Sequence, residues 1–116
     1  MDWNDFMADI ENDLAVFSRE VPDTMRGFGI MGKAAKTPGA LSEKTKEFIA
    51  LGIAIATRCD SCIGFHIRSL VRLQATRAEL CEALAMATYM GGGPSYAYSA
   101  KALDAFDAFS RDASPT

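Results

Sequence analysis

Histidine occurs once and cysteine three times in these 116 residues, and that scarcity narrows the available chemistry. Three cysteines cannot complete a paired disulfide framework. Structural zinc sites usually draw on two separated ligand pairs, and no second pair is present. The residue after Cys59-Asp60-Ser61-Cys62 is Ile63 rather than histidine, which excludes covalent c-type haem. No segment alternates as a strand would, so a thioredoxin fold, with its strand ahead of the cysteines, does not fit. Basic runs are missing too, and the net charge of −3 argues against nucleic acid or an anionic membrane as partner. The longest apolar run, Phe48 to Ala56, is nine residues, too short to cross a bilayer. The acidic start Met1-Asp2-Trp3-Asn4-Asp5 has no apolar signal region. A reducing cytoplasm is therefore expected, where a Cys-x-x-Cys serves catalysis or metal binding rather than structure.

What is present is helical. The length suits one domain over residues 1–116, and 49% hydrophobic residues suffice for a core. Trp3, Phe6, Met7, Ile10, Leu14 and Phe17 recur at helical spacing up to the Val21-Pro22 break. Proline at a first turn predicts a second helix from Pro22 to about Met31, and Gly32 to Ala40 reads as a loop. Ser42 caps a third helix reaching about Thr57. Beyond Lys46 this helix is apolar nearly all round, which predicts burial in the core or against another subunit. A fourth helix runs from the cysteines to about Gln74. Thr76-Arg77-Ala78-Glu79 has capping-box spacing and opens a fifth, reaching about Met90. Gly91-Gly92-Gly93 stops it, Pro94 starts a sixth running to Phe109, and the tail after Ser110 is expected to fray. The glycine run lacks a phosphate-loop pattern and reads as helix stop and close packing. The fold class is all-α, with five to six helices.

The chemistry gathers in E-x11-C-x-x-C-x3-H, formed by Glu47, Cys59, Cys62 and His66. A helix N-terminus favours a thiolate, so a Cys-x-x-Cys there is redox-competent. Helical geometry puts Cys59, Cys62 and His66 within about 60° of one another on one face. An imidazole one turn past Cys62, with an unperturbed pKa of about 6.5, suits proton exchange with a thiol. Rival readings remain open. The cysteines can be small buried hydrophobes, or they can join His66 and either Cys81 or Glu47 around zinc. Spacing leaves Glu47 as a surface carboxylate beside Glu43, Lys44 and Lys46. Cys81, beside Leu80 and Leu84, reads as core. Tyr89, Tyr96 and Tyr98 read as core or interface residues.

The whole pattern resembles the signature of AhpD-like alkylhydroperoxidases in the carboxymuconolactone decarboxylase superfamily. Leu41 to Leu51 is similar to the family helix that leads to the cysteines. Met90-Gly91-Gly92-Gly93-Pro94 and Ala102 to Phe106 are similar to its C-terminal end, so residues 40–109 are well covered. The resemblance implies a compact all-α fold and a thiol-dependent hydroperoxidase or disulfide reductase without a cofactor. It makes Cys59 and Cys62 the redox pair, with Glu47 and His66 relaying protons to Cys62. It also implies a hydroperoxide substrate, a dithiol or redox-protein reductant, and a homotrimer or homohexamer. Some members carry histidine where Ser61 stands, and a serine hydroxyl cannot hold a proton near neutrality; Ser61 is at most an auxiliary. The alternative from another class is a non-enzymatic redox- or zinc-sensing module.

Overall fold

The computed structural model describes residues 1–113. Six helices follow in order: α1 (Trp3–Glu20), α2 (Pro22–Lys36), α3 (Glu43–Ala56), α4 (Asp60–Arg72), α5 (Arg77–Gly91) and α6 (Gly93–Ala113). Among the described residues there is no strand. The all-α expectation holds.

Helix α4 lies at the centre. Its Ile63, Ile67 and Leu70 are fully buried, the i, i+4, i+7 positions of one helical face. Around them close Leu51 and Ile55 of α3, Leu80 of α5, Ala102, Ala105 and Phe106 of α6, and Trp3 and Met7 of α1. Gly64 lets α1 come close, because a Cβ there would collide with the Met7 sulfur. The Trp3 indole N–H donates to Asp104 at 3.2 Å and ties α1 to α6.

Two helix ends close in the same way without glycine. After α3, Arg58 takes a left-handed φ of 56°. Its N–H reaches the Ile55 carbonyl, and the Cys59 N–H reaches that of Ala54. After α4, Gln74 has φ 62°, with Gln74 N–H on Val71 and Ala75 N–H on Leu70. Both are Schellman closures. Each hands the chain to the next N-cap, Cys59 for α4 and Thr76 for α5.

Three expectations need correction. Helix α2 continues to Lys36 instead of ending near Met31, since Lys33-Ala34-Ala35-Lys36 are strong helix formers. Its last carbonyls are satisfied: Lys46 Nζ donates to Ala35 at 2.9 Å and to Thr37 at 2.6 Å. Helix α6 runs past Phe109 to Ala113, with Arg111 in the last turn, where a cation suits the helix dipole. The fraying expected after Ser110 is thus absent over 111–113, and its remainder lies outside the described residues. Cys81 is exposed: α5 buries Leu80 and Leu84, and the next residue round points about 100° away.

Helix α2 buries nothing and packs only on α1 and α3. Its Phe28, Ile30 and Met31 are exposed, as are Phe17 of α1, Ile49 and Ile53 of α3, and Met86, Tyr89 and Met90 of α5. Tyr96 is also exposed, and of the three tyrosines only Tyr98 packs against the core.

Candidate functional site

The site is built where α3 hands over to α4. The closure at Arg58 stops α3 and delivers Cys59 as the N-cap of α4, its sulfur accepting the Cys62 N–H at 3.2 Å. Cys59 and Cys62 are joined as a disulfide, with Cα atoms 5.2 Å apart. The Ser61 hydroxyl lies 3.5 Å from the Cys59 sulfur, which makes it a neighbour of the first cysteine. Asp60, between them, forms an ion pair with Lys101 of α6 at 2.8 Å. Asp60 Oδ1 has no other partner among the described residues. The Lys101 ammonium also sits over the Tyr98 ring, 4.8 Å from its centre. This cluster ties the cysteine turn to α6.

On the other side of the disulfide, His66 Nδ1 lies 2.7 Å from Glu47 Oε2. Glu47 is only 2% exposed, so the surface reading left open by its spacing is wrong. Helix α3 turns from charged to apolar at this residue, and the carboxylate points inward with a ring nitrogen as its partner. A buried carboxylate needs such a partner. Accepting from Nδ1–H, it orients the ring and leaves Nε2 for proton exchange. Contact between these helices cannot be derived from spacing; the family resemblance pointed to it.

Cys62, His66 and Glu47 line one pocket of about 420 Å³, whose walls are Phe28, Gly32, Ala35 and Lys36 of α2, Lys46 and Ala50 of α3, and Phe65 of α4. The α2 residues and Phe65 were missed from sequence. The glycines and proline around Lys36 read as a loop, and nothing in a lone helix pattern marks one residue as a pocket wall. Lys46, first read as a surface residue, both pins α2 and faces the pocket. Cys81 does not join the site: among the described residues no group of three His, Cys, Asp or Glu side chains is arranged to hold a metal. Chemically, the pocket combines a two-electron thiol/disulfide couple, a proton carrier held by a carboxylate, and apolar walls.

A small all-α fold thus carries a Cys-x-x-Cys at a helix start with a Glu–His pair beside it. The profile of the carboxymuconolactone decarboxylase family matches residues 22–105, and the chain belongs to that family. A family member from Legionella pneumophila is 53% identical with a TM-score of 0.90, covering 93% of this chain and 96% of that one. A family protein of Thermotoga maritima, for which a part in antioxidative response has been suggested, is 31% identical with a TM-score of 0.72 over 78% of this chain and 93% of its own. An uncharacterised protein of Cupriavidus necator is 38% identical over 88% of this chain and 90% of its own length.

Proposed function

We propose that the protein is a thiol-dependent hydroperoxidase of the AhpD-like type, able to act also as a disulfide reductase. The observation that carries this reading is the Cys59–Cys62 disulfide sharing a pocket wall with the Glu47–His66 pair. In the reduced state, the Cys62 thiolate attacks the hydroperoxide O–O bond. An S–O bond forms, the O–O bond breaks, and the leaving alkoxide takes a proton from His66 to depart as alcohol. Cys62 is then a sulfenic acid. The Cys59 thiolate displaces its oxygen, which leaves with a proton as water, and the disulfide closes. A dithiol or redox protein returns two electrons by thiol–disulfide exchange. No cofactor enters this cycle. Ser61 has a lesser part, beside the Cys59 sulfur.

Two further features belong to this proposal. The protein works in a reducing cytoplasm; no helix of the described chain is long and apolar enough to cross a membrane. It works as a homotrimer or homohexamer, a reading supported by the exposed apolar residues of α1, α3 and α5. A mass near 12.5 kDa for fully active protein by light scattering would refute assembly.

The decisive test is steady-state hydroperoxide consumption by reduced protein with a panel of dithiol and protein reductants, alongside thiol counting. Turnover should vanish in Cys62→Ser, and mild oxidation should remove two thiols while sparing Cys81. Rapid disulfide exchange without peroxide consumption leaves the reductase alone; thiols inert to both sink the enzyme reading. A zinc-sensing module, the alternative, instead binds metal stoichiometrically when reduced.

A further inference from the structure

Beside the pocket of Cys62 lies a second cavity of about 310 Å³ lined by Lys36, Phe65, His66, Arg68, Ser69 and Arg72. Three of these six side chains are cations and none is a carboxylate, although the chain as a whole carries −3. Lys36, Phe65 and His66 line both cavities, so the positive cavity adjoins the apolar space beside Cys62.

Two of the three charges are only partly engaged within the protein, and the third has no acidic partner among the described residues. Arg68 gives one nitrogen, Nη1, to Glu11 at 3.0 Å, and Arg72 gives one, Nη2, to Glu43 at 3.1 Å. These are exposed pairs, which solvent weakens, and a guanidinium has five N–H donors. Arg77, on α5, differs: it engages Asp107 through both Nε and Nη2, committing its fork. Lys36 has no acidic partner among the described residues. Lys46, the other lysine of the pocket, is held by the Ala35 and Thr37 carbonyls. Glu47 is the one carboxylate inside, and it is bonded to His66.

We infer that this pocket takes an organic hydroperoxide that also carries a carboxylate. The apolar body lies against Phe28, Ala50 and Phe65, the hydroperoxide faces Cys62, and the carboxylate rests on Lys36 and Arg72, with Arg68 alongside. The inference rests on the hydroperoxidase reading for the reacting group; the anion site stands on the lining residues. The reaction is unchanged: hydroperoxide to alcohol, two thiols to one disulfide, and water released.

The test compares the 4-carboxy derivative of cumene hydroperoxide with its methyl ester, two substrates with the same reacting group. At low ionic strength the carboxylate should have a kcat/KM about tenfold higher, and the preference should shrink in high salt. In the Lys36→Gln/Arg72→Gln double variant the ratio should fall towards one. An equal kcat/KM in wild type, or a preference undiminished in the variant, overturns the inference. A second measurement separates it from the reading beneath. Reduced protein is alkylated with iodoacetamide in the presence of 4-isopropylbenzoate or neutral 4-isopropylbenzamide. Protection of Cys62 at about tenfold lower benzoate concentration, lost in the double variant, supports the anion site even if no hydroperoxide is turned over; equal protection overturns it. An anion could also arrive on the reductant. If 3-mercaptopropionate outpaces its methyl ester in reducing the disulfide, that advantage disappears in the variant, and the two hydroperoxides behave alike, the carboxylate belongs to the reductant and the inference fails.

Discussion

Helices α4 and α2 face each other across the same pocket and are held by opposite means. Helix α4 sits inside the core, with Ile63, Ile67 and Leu70 completely buried and α1, α3 and α6 packed on it. Helix α2 buries nothing and is fastened at its end, where Lys46 grips the Ala35 and Thr37 carbonyls. Cys62 and His66 stand on the first kind of support and the opposite pocket wall on the second. A redox pair needs fixed sulfur positions, whereas a pocket that admits a substrate benefits from a wall that yields. Local stability varies in this way across many proteins, low where few apolar contacts hold a segment.

The largest effect that would sharpen the contrast is in α4. Ile67→Ala removes most of a fully buried side chain and should cost about 2–5 kcal/mol, read from denaturant unfolding. Ile30→Ala, on α2 and 64% exposed, should change stability by less than about 0.5 kcal/mol. Comparable losses at both positions would mean that α2 is covered by another subunit in solution, and the contrast would then belong to the monomer alone.

Next in size is the fastening itself. Lys46→Met keeps the aliphatic stem and removes the two hydrogen bonds to α2. We expect amide exchange in α2 to speed up roughly five- to tenfold, about 1 kcal/mol of local stability, while the α4 amides stay as they were. Faster exchange in both helices would show that α2 and α4 open together.

A chemical contrast follows within the site. His66→Ala should slow alkylation of Cys62 at neutral pH by roughly tenfold, because the imidazole no longer takes up the thiol proton. Glu47→Gln should fall between wild type and His66→Ala. A Glu47→Gln rate equal to wild type would reduce Glu47 to a packing role.

How much of this was visible beforehand depended on the range of the interaction. The helices of α1, α3 and α5 could be read because their signals are local: apolar spacing, Ser42 and Thr76 as caps, proline after Val21. Cys59, Cys62 and His66 could be placed on one face for the same reason. The Arg58 and Gln74 closures could not, since a left-handed residue is normally announced by glycine or asparagine and here neither occurs. Gly32 concealed the end of α2, because a glycine among good helix formers costs only about 1 kcal/mol and the two carbonyl contacts of Lys46 outweigh it. Residue type alone misleads at Cys81, because α5 fills its buried face with Leu80 and Leu84. The Glu47–His66 contact crosses helices, and only the family resemblance pointed to it.

The smallest expected effect concerns the α5 cap, outside the pocket yet next to the central core. Thr76 and Glu79 form a reciprocal capping box: the Thr76 hydroxyl accepts the Glu79 N–H at 3.0 Å, and the Glu79 carboxylate accepts the Thr76 N–H at 2.8 Å. Lys44 of α3 donates to the same carboxylate at 2.9 Å. The Lys44 bond, then the Thr76 N–H, lowers the Glu79 pKa below its ordinary 4.5. A carboxylate whose pKa is lower folded than unfolded binds fewer protons in the native state, so its stabilising contribution is complete above pH 4.5 and disappears as pH falls through the lower, folded value. Thr76→Ala should cost about 1 kcal/mol at neutral pH. Glu79→Gln should weaken the wild-type protein's loss of stability below pH 4.5, with other carboxylates such as Asp107, lowered by Arg77, supplying what remains. Urea midpoints at pH 7 and at successive acid steps measure both. An acid profile identical in wild type and Glu79→Gln would show that the Lys44–Glu79 link between α3 and α5 contributes nothing to the fold, leaving the hydroxyl of Thr76 as the whole of the cap.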